Sequence, residues 1–366
     1  MTSLKLFDPS LKLINSTLLE LPSPIFISYM WNFGSILGVV LFSQIISGLL
    51  ISMFYISEVS LSFFSVIHIL RDIIEGWSSR FLHINGASFL FIILYTHILI
   101  RGIYFKSFII NKETWLSGIT LLLMFIGTAF LGYVLPWGQI SFWGATVITN
   151  ILSVIPYIGK ELTIWIWGGF SVRGTTLTRF YSLHFIIPLA SIVLLMIHLI
   201  FLHEKGSSSI ISTYSIDKIL FNFFYSIKDF ITIILYLLTI ILFINFIPFI
   251  FGDPENFNQA NPLSTPIHIQ PEWYFLFAYA ILRSIPSKLG GAIALILSVI
   301  IFYFLIFREK SSSSLKFSFY EKFLFYILLI LIILLTWVGA NPVEFPLIFI
   351  GQVFRVIYFL LFFFIL

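Results

Sequence analysis

The chain has 366 residues, 59% hydrophobic and only 10% charged, with a net charge of +4 and a mean hydropathy of +1.06. A water-soluble domain of this size needs a far more polar surface, so the composition specifies a polytopic helical membrane protein. Cysteine is absent, which excludes disulfides and thiolate-bound metals or clusters within the chain.

The N-terminal stretch MTSLKLFDPSLKLINSTLLELPSP has no short apolar core followed by a small-residue cleavage site, so no signal peptide is expected. Apolar runs long enough to cross a bilayer lie at about 31–53, 77–104, 114–134, 178–203, 229–250, 289–307, 321–340 and 345–366. The fold class is therefore an all-α integral membrane protein with eight transmembrane helices and both termini on one side. With flanking arginines counted, the side holding the N-terminus carries twelve Lys and Arg and the other seven, which makes the first the negative side.

The second run, RFLHINGASFLFIILYTHILIRGIY at 80–104, contains His83 and His97, fourteen residues apart. That step is roughly four helical turns, so both imidazoles leave one face about 21 Å apart along the axis. The fourth run repeats it with His184 and His198. The second and fourth helices run in the same direction, so His83 shares a level with His184 near the positive side, and His97 with His198 near the negative side. A single histidine in an apolar helix is ordinarily a packing or pathway residue, but ionisable groups within a membrane are costly and mark function. Two matched pairs favour two bis-histidine haems stacked through the membrane, in a four-helix bundle in the N-terminal half.

Gly34 and Gly48 in the first helix and Gly118 and Gly132 in the third repeat the fourteen-residue step, as clearance for a flat ligand at two levels requires. Arg80, Arg101 and Arg179 lie near the histidines, where a guanidinium fork suits haem propionates as well as an interface anchor. The stretch at 251–288 is too long and too rich in Pro and Asn for a simple connection. It contains Pro271-Glu272-Trp273-Tyr274, and a carboxylate walled by aromatics there would accept a proton from a hydroxylated ring. WGQISFWGATV at 137–147 adds a Gly144-Ala145 break on the same side. On the negative side, His203, Lys228, Asp229, Asn32 and Ser35 form a candidate polar pocket for quinone carbonyls. His68 and His268 have no partner spacing and read as loop residues.

Together these residues resemble the cytochrome b family, the quinol-oxidising membrane subunit of the respiratory bc complex. WNFGS at 31–35, GYVLPWGQISFWGATVITN at 132–150, TLTRFYSLHF at 176–185, PEWY at 271–274 and the loop from Gly252 to Gly291 carry the resemblance. It implies a low-potential haem b on His83/His184 and a high-potential haem b on His97/His198, with the four glycines against the haem edges. It assigns Glu272, Tyr274, Tyr133 and Gly144 to quinol oxidation, and His203, Asp229, Lys228, Ser35 and Asn32 to quinone reduction. It also implies a catalytic subunit of ubiquinol–cytochrome c oxidoreductase, partnered by a Rieske-type iron–sulfur protein, cytochrome c1 and other complex III subunits. A homodimer in membrane lipid, with no nucleic acid, and the mitochondrial inner membrane rather than a bacterial one are expected. The division is residues 1–210, the dihaem bundle, and 211–366, the C-terminal membrane domain with the 251–288 loop.

Arg101 stands one place later after His97 than is usual in the family, Asn222-Phe223 replaces a usual His-Pro pair, the Ser-rich 207–213 stretch is atypical and the last helix ends early. Two other classes compete. A dihaem oxidoreductase without bifurcation would make the 251–288 loop dispensable, and a histidine proton-relay transporter would be colourless.

Overall fold

A computed structural model describes residues 20–207, 217–308 and 319–365. Within them lie eight helices long and apolar enough to cross a membrane, spanning Tyr29–Ser52, Gly76–Tyr104, Lys112–Val134, Gly174–Lys205, Phe224–Phe246, Lys288–Phe307, Phe319–Ala340 and Leu347–Ile365. The expected count and order hold. The fifth begins at Phe224 rather than about 229 and ends at Phe246 rather than about 250; it stops there because Pro248 has no N–H to continue the helical ladder and restricts the residue before it.

In chain order the α-helices are α1 (Phe33–Ser52), α2 (Ser62–Arg71), α3 (Gly76–Thr96), α4 (Ser107–Ile110), α5 (Lys112–Val134), α6 (Gln139–Asn150), α7 (Gly159–Trp167), α8 (Gly174–Lys205), α9 (Phe224–Phe246), α10 (Leu276–Arg283), α11 (Lys288–Phe304), α12 (Phe319–Ala340) and α13 (Leu347–Ile365). A π-helical stretch, His97–Tyr104, prolongs α3. The short α2, α6, α7 and α10 lie in segments read as connections, since apolar runs of their length fall below a membrane span. His68 is accordingly not a loop residue: it sits in the last turn of α2, its Nδ1 2.8 Å from Asp72 Oδ2. His268 does lie in irregular chain. Pro22–Pro24 (β1) pairs antiparallel with Lys218–Leu220 (β2), a ribbon too short and proline-rich to be legible beforehand. Residues 208–213 of the Ser-rich stretch lie outside the described residues.

Helix α1 packs on α3 and α5 packs on α8, making the N-terminal four-helix bundle. Helix α3 also contributes to an apolar core that runs from Ile36 and Val40 of α1 through Phe89, Phe91 and Leu94, then Tyr274, Phe277 and Ile281, to Leu328 and Tyr358. One helix thus has the bundle interior on one side and the 271–283 segment on the other. Apolar side chains on α8 and α9, including Phe185, Ile186, Val193, Phe230 and Leu235, remain exposed, as lipid-facing surface requires.

Candidate functional site

His83 on α3 and His184 on α8 face each other across the bundle with ring centroids 6.1 Å apart, at an interplanar angle of 85°. Two imidazoles bound axially to one metal would stand about 6 Å apart, given metal–nitrogen bonds of about 2.0 Å. Both Nδ1 atoms are occupied: His83 Nδ1 lies 3.1 Å from Ser47 Oγ on α1, and His184 Nδ1 donates to the Thr128 carbonyl of α5 at 2.8 Å. Tying Nδ1 leaves Nε2 as the ligating atom and fixes the ring, as partners of metal-binding histidines do. At the other level, His198 Nδ1 lies 2.9 Å from Ser117 Oγ. The buried His97 Nδ1 has no hydrogen-bond partner among the described residues.

The four glycines take one histidine each. Cβ atoms placed at Gly48, Gly118 and Gly34 would stand 2.9, 3.1 and 3.5 Å from Cε1 of His83, His198 and His97, and one at Gly132 would overlap the His184 ring. The fourteen-residue glycine step therefore clears space for the imidazoles themselves. Two serines escaped the sequence reading although their signal was present, since Ser47-Gly48 and Ser117-Gly118 are a repeated Ser-Gly pair. In each, the serine meets Nδ1 and the glycine admits the ring.

A cavity of about 430 Å³ opens beside the first pair, lined among others by Gly48, Tyr55, Arg80, His83, Gly132, Tyr133, His184, Glu272 and Tyr274. Three of the four residues assigned to quinol oxidation thus share one space with a histidine pair. Gly144, on α6, has nothing within 4 Å of a placed Cβ and is not in that lining. Burial pushes the Glu272 carboxyl up to about 7; the Tyr133 hydroxyl beside it opposes that rise and the Asp253 carboxylate reinforces it. Tyr274 stacks on Phe91 at 4.1 Å and 7°. Its carbonyl accepts from Tyr95 Oη at 2.7 Å, while Trp273 Nε1 donates to Ser88 Oγ at 3.2 Å. Helix α3 therefore holds the Pro-Glu-Trp-Tyr segment with Ser88 and Tyr95, and the histidine pairs with another face. Gln139, at the start of α6, fastens the preceding part of the loop by donating to the Ser264 carbonyl at 3.0 Å and accepting from Asn261 N at 2.8 Å.

At the opposite end, Ser35 Oγ donates to Asp229 Oδ1 at 2.7 Å and Asn32 Nδ2 donates to Thr232 Oγ1 at 3.2 Å. These residues form one polar seam between α1 and α9. Lys228 points elsewhere: Nζ donates to the Ile27 carbonyl at 3.3 Å and sits 5.2, 4.8 and 5.5 Å from the ring centroids of Tyr29, Phe224 and Tyr225. His203, half-buried in the last turn of α8, makes no hydrogen bond among the described residues.

The three arginines divide. Arg80 lines the cavity. Arg179 donates to the Trp165 carbonyl at the end of α7 and is exposed, outside the lining, because five residues turn it about 140° from His184. Arg101 is buried with Nη1 unpartnered, its guanidinium 4.1 Å from the Trp31 ring centroid. In an α-helix the fourth residue after His97 would fall about 40° past it. Over the π-helical stretch, at about 4.4 residues per turn, it falls roughly 30° short. The wide turn absorbs the displaced position and carries Arg101 to the other flank of His97.

At the first level the imidazole separation, the glycine clearances and the adjoining cavity fit a flat metal-bearing macrocycle; at the second, two imidazoles with matching glycine clearances lie near the buried Arg101. These features define an eight-span helical membrane protein with paired histidines at two depths of its N-terminal bundle. Residues 18–206 match the family model for cytochrome b/b6/petB, and residues 259–359 that for cytochrome b(C-terminal)/b6/petD. The fold superposes on a chain of a hyperthermophilic respiratory complex III with a TM-score of 0.91 and 30% identity, covering 98% of this chain and 96% of that one. The chain belongs to the cytochrome b family of the bc complexes.

Proposed function

We propose that the chain is the catalytic subunit of a quinol–cytochrome c oxidoreductase, oxidising quinol at the positive side and reducing quinone at the negative side. The observation that carries this reading is the shared cavity, in which a facing histidine pair and the Glu272 carboxyl open on one space. His83 and His184 would hold one haem b, and His97 and His198 the second. Bound there, the two haems supply reversible one-electron transfer at two depths of the membrane.

The chain's own residues bind and deprotonate the quinol. Glu272 accepts a proton from a quinol hydroxyl, and Tyr133 steadies the carboxylate that receives it. Tyr274, pinned by its stack on Phe91, keeps one wall apolar and dry. Of the two electrons released, one leaves to a Rieske-type iron–sulfur partner, because a chain without cysteine offers no ligands for a cluster of that kind. The other crosses the bundle toward the His97/His198 level. At the negative side the Asp229–Ser35 pair and Asn32 hydrogen-bond quinone carbonyls and supply protons, with His203 and Lys228 at the rim. Proton release on one side and uptake on the other contributes to proton translocation.

The test is a reduced-minus-oxidised optical spectrum of the purified chain with haem counted per polypeptide. Two b-type haems with separate midpoint potentials support the reading, and a colourless chain ends it. The glycine clearances add a graded expectation. Gly132→Ala, whose new methyl overlaps the His184 ring, loses more haem than Gly34→Ala, whose methyl stands at an ordinary 3.5 Å. Equal haem content in the two variants would contradict the assignment of Gly132.

A further inference from the structure

Helix α13 carries a cation halfway along its length that neither histidine pair nor either polar site uses. Arg355 is about 12 Å along the axis from Leu347, the first residue of the helix. A charge at that depth is costly unless something answers it. No carboxylate among the described residues pairs with it. Its Nη1 instead donates to the Ser284 carbonyl oxygen at 3.0 Å and lies 3.2 Å from Ser284 Oγ. Ser284 is the C-cap of α10, the end at which unpaired carbonyls concentrate negative partial charge. Gly351, one turn before Arg355, lies directly against the same end of α10, a Cβ placed there standing at an ordinary 3.8 Å from Ser284 Cβ.

Helix α10 has eight residues, too few to be stable without support at its ends, and it follows directly on Glu272–Tyr274. Its start is seated on Gly339, where a Cβ would overlap the Leu276 carbonyl. From its middle, Tyr279 donates its hydroxyl to the Ile269 carbonyl at 3.3 Å, three residues before Glu272. The Arg283 guanidinium covers the Tyr279 ring at 4.7 Å while donating to the Val338 and Gly339 carbonyls at 2.8 and 3.0 Å. The path from Arg355 to the chain that presents Glu272 is continuous in hydrogen bonds and helix.

We propose that Arg355 is a positioning residue for quinol oxidation: by closing the C-terminal end of α10 it holds Tyr279 against Ile269 and so keeps Glu272 at the cavity wall. This rests on the reading of Glu272 as the proton acceptor, and the experiment separates the two. Arg355→Leu, Arg355→Lys and Glu272→Gln are each assembled into the complete complex, and haem content, KM, kcat and the pH profile of quinol oxidation are measured. Arg355→Leu is expected to keep both haems, to raise KM for quinol about tenfold through loss of the charged hydrogen bond, and to move the acidic limb of the profile to lower pH. The limb moves that way because a carboxyl less tightly walled from water ionises more readily. The titratable groups facing Glu272, namely Tyr133, Asp253 and Tyr274, are the same in the Arg355 variants. Arg355→Lys, which keeps one donor, is expected to recover most of the wild-type KM.

A wild-type KM and acidic limb in Arg355→Leu, whatever its thermal stability, overturn the proposal if Glu272→Gln is impaired. If Glu272→Gln is itself unimpaired, the reading of Glu272 fails and the role of Arg355 falls with it. Should Arg355→Leu not assemble, Arg355→Gln is read by the same measurements, a raised KM supporting the proposal and an unchanged one overturning it.

Discussion

A chain carrying His184→Leu is expected to retain one haem instead of two and to lose quinol oxidation coupled to the far side of the membrane. Leucine fills much of the imidazole's space without a ligating nitrogen, so the loss is chemical rather than steric. The Nδ1 partners set the scale: losing such an outer contact costs about 10–100-fold in affinity, and an axial ligand costs more. The result should be specific to level. His184→Leu removes the haem beside the cavity and leaves the other reducible from the negative side, whereas His198→Leu does the reverse. Ser117→Ala, which removes the contact to His198 Nδ1 along with the hydroxyl's bonds to its own helix at Glu113 and Thr114, is expected to weaken haem retention within that 10–100-fold range. Haem counts with redox titration of the three variants check all of this. Loss of both haems in His184→Leu with the fold intact would contradict the two-level arrangement.

Glu272→Gln is expected to lower quinol oxidation about 100-fold, the lower range of what a positioned general base contributes, and to abolish the acidic limb of the pH profile. The sign follows from the chemistry. The carboxylate is the accepting form, and burial has pushed the carboxyl up to about 7, so wild-type activity falls as pH falls through about 7. Glutamine has no such transition, and its residual activity should be flat there. Asp253 supplies a second lever, because its carboxylate raises the Glu272 value. Asp253→Asn is expected to move the limb to lower pH without removing it. A limb that survives in Glu272→Gln would assign the proton to another acceptor.

The eight spans were legible because crossing a bilayer demands a minimum apolar length, which survives every detail of packing. The histidine levels were legible because fourteen residues close an almost whole number of turns. The short helices were not, since α2 and α10 have no membrane-length signature. Arg355 was present in the sequence as a charge inside an apolar run, but spacing offered it no partner; only the packing of α13 on α10 supplies Ser284. The surroundings of Lys228 and Arg179 were not legible for a related reason. Neighbours in sequence suggested neighbours in a pocket, while the helix turned Arg179 away and three aromatic rings drew Lys228 aside.

By itself, the sequence determined the membrane class, the helix count and the fourteen-residue spacing of the histidines, because each depends on composition or on helical periodicity. Only the tertiary structure decided which groups meet. Ser47 and Ser117 reach the histidines, burial beside Tyr133 and Asp253 raises the Glu272 carboxyl, and a π-helical stretch carries a displaced Arg101 to Trp31. These contacts join residues distant in the chain, and their geometry follows from how helices pack, which no local spacing encodes.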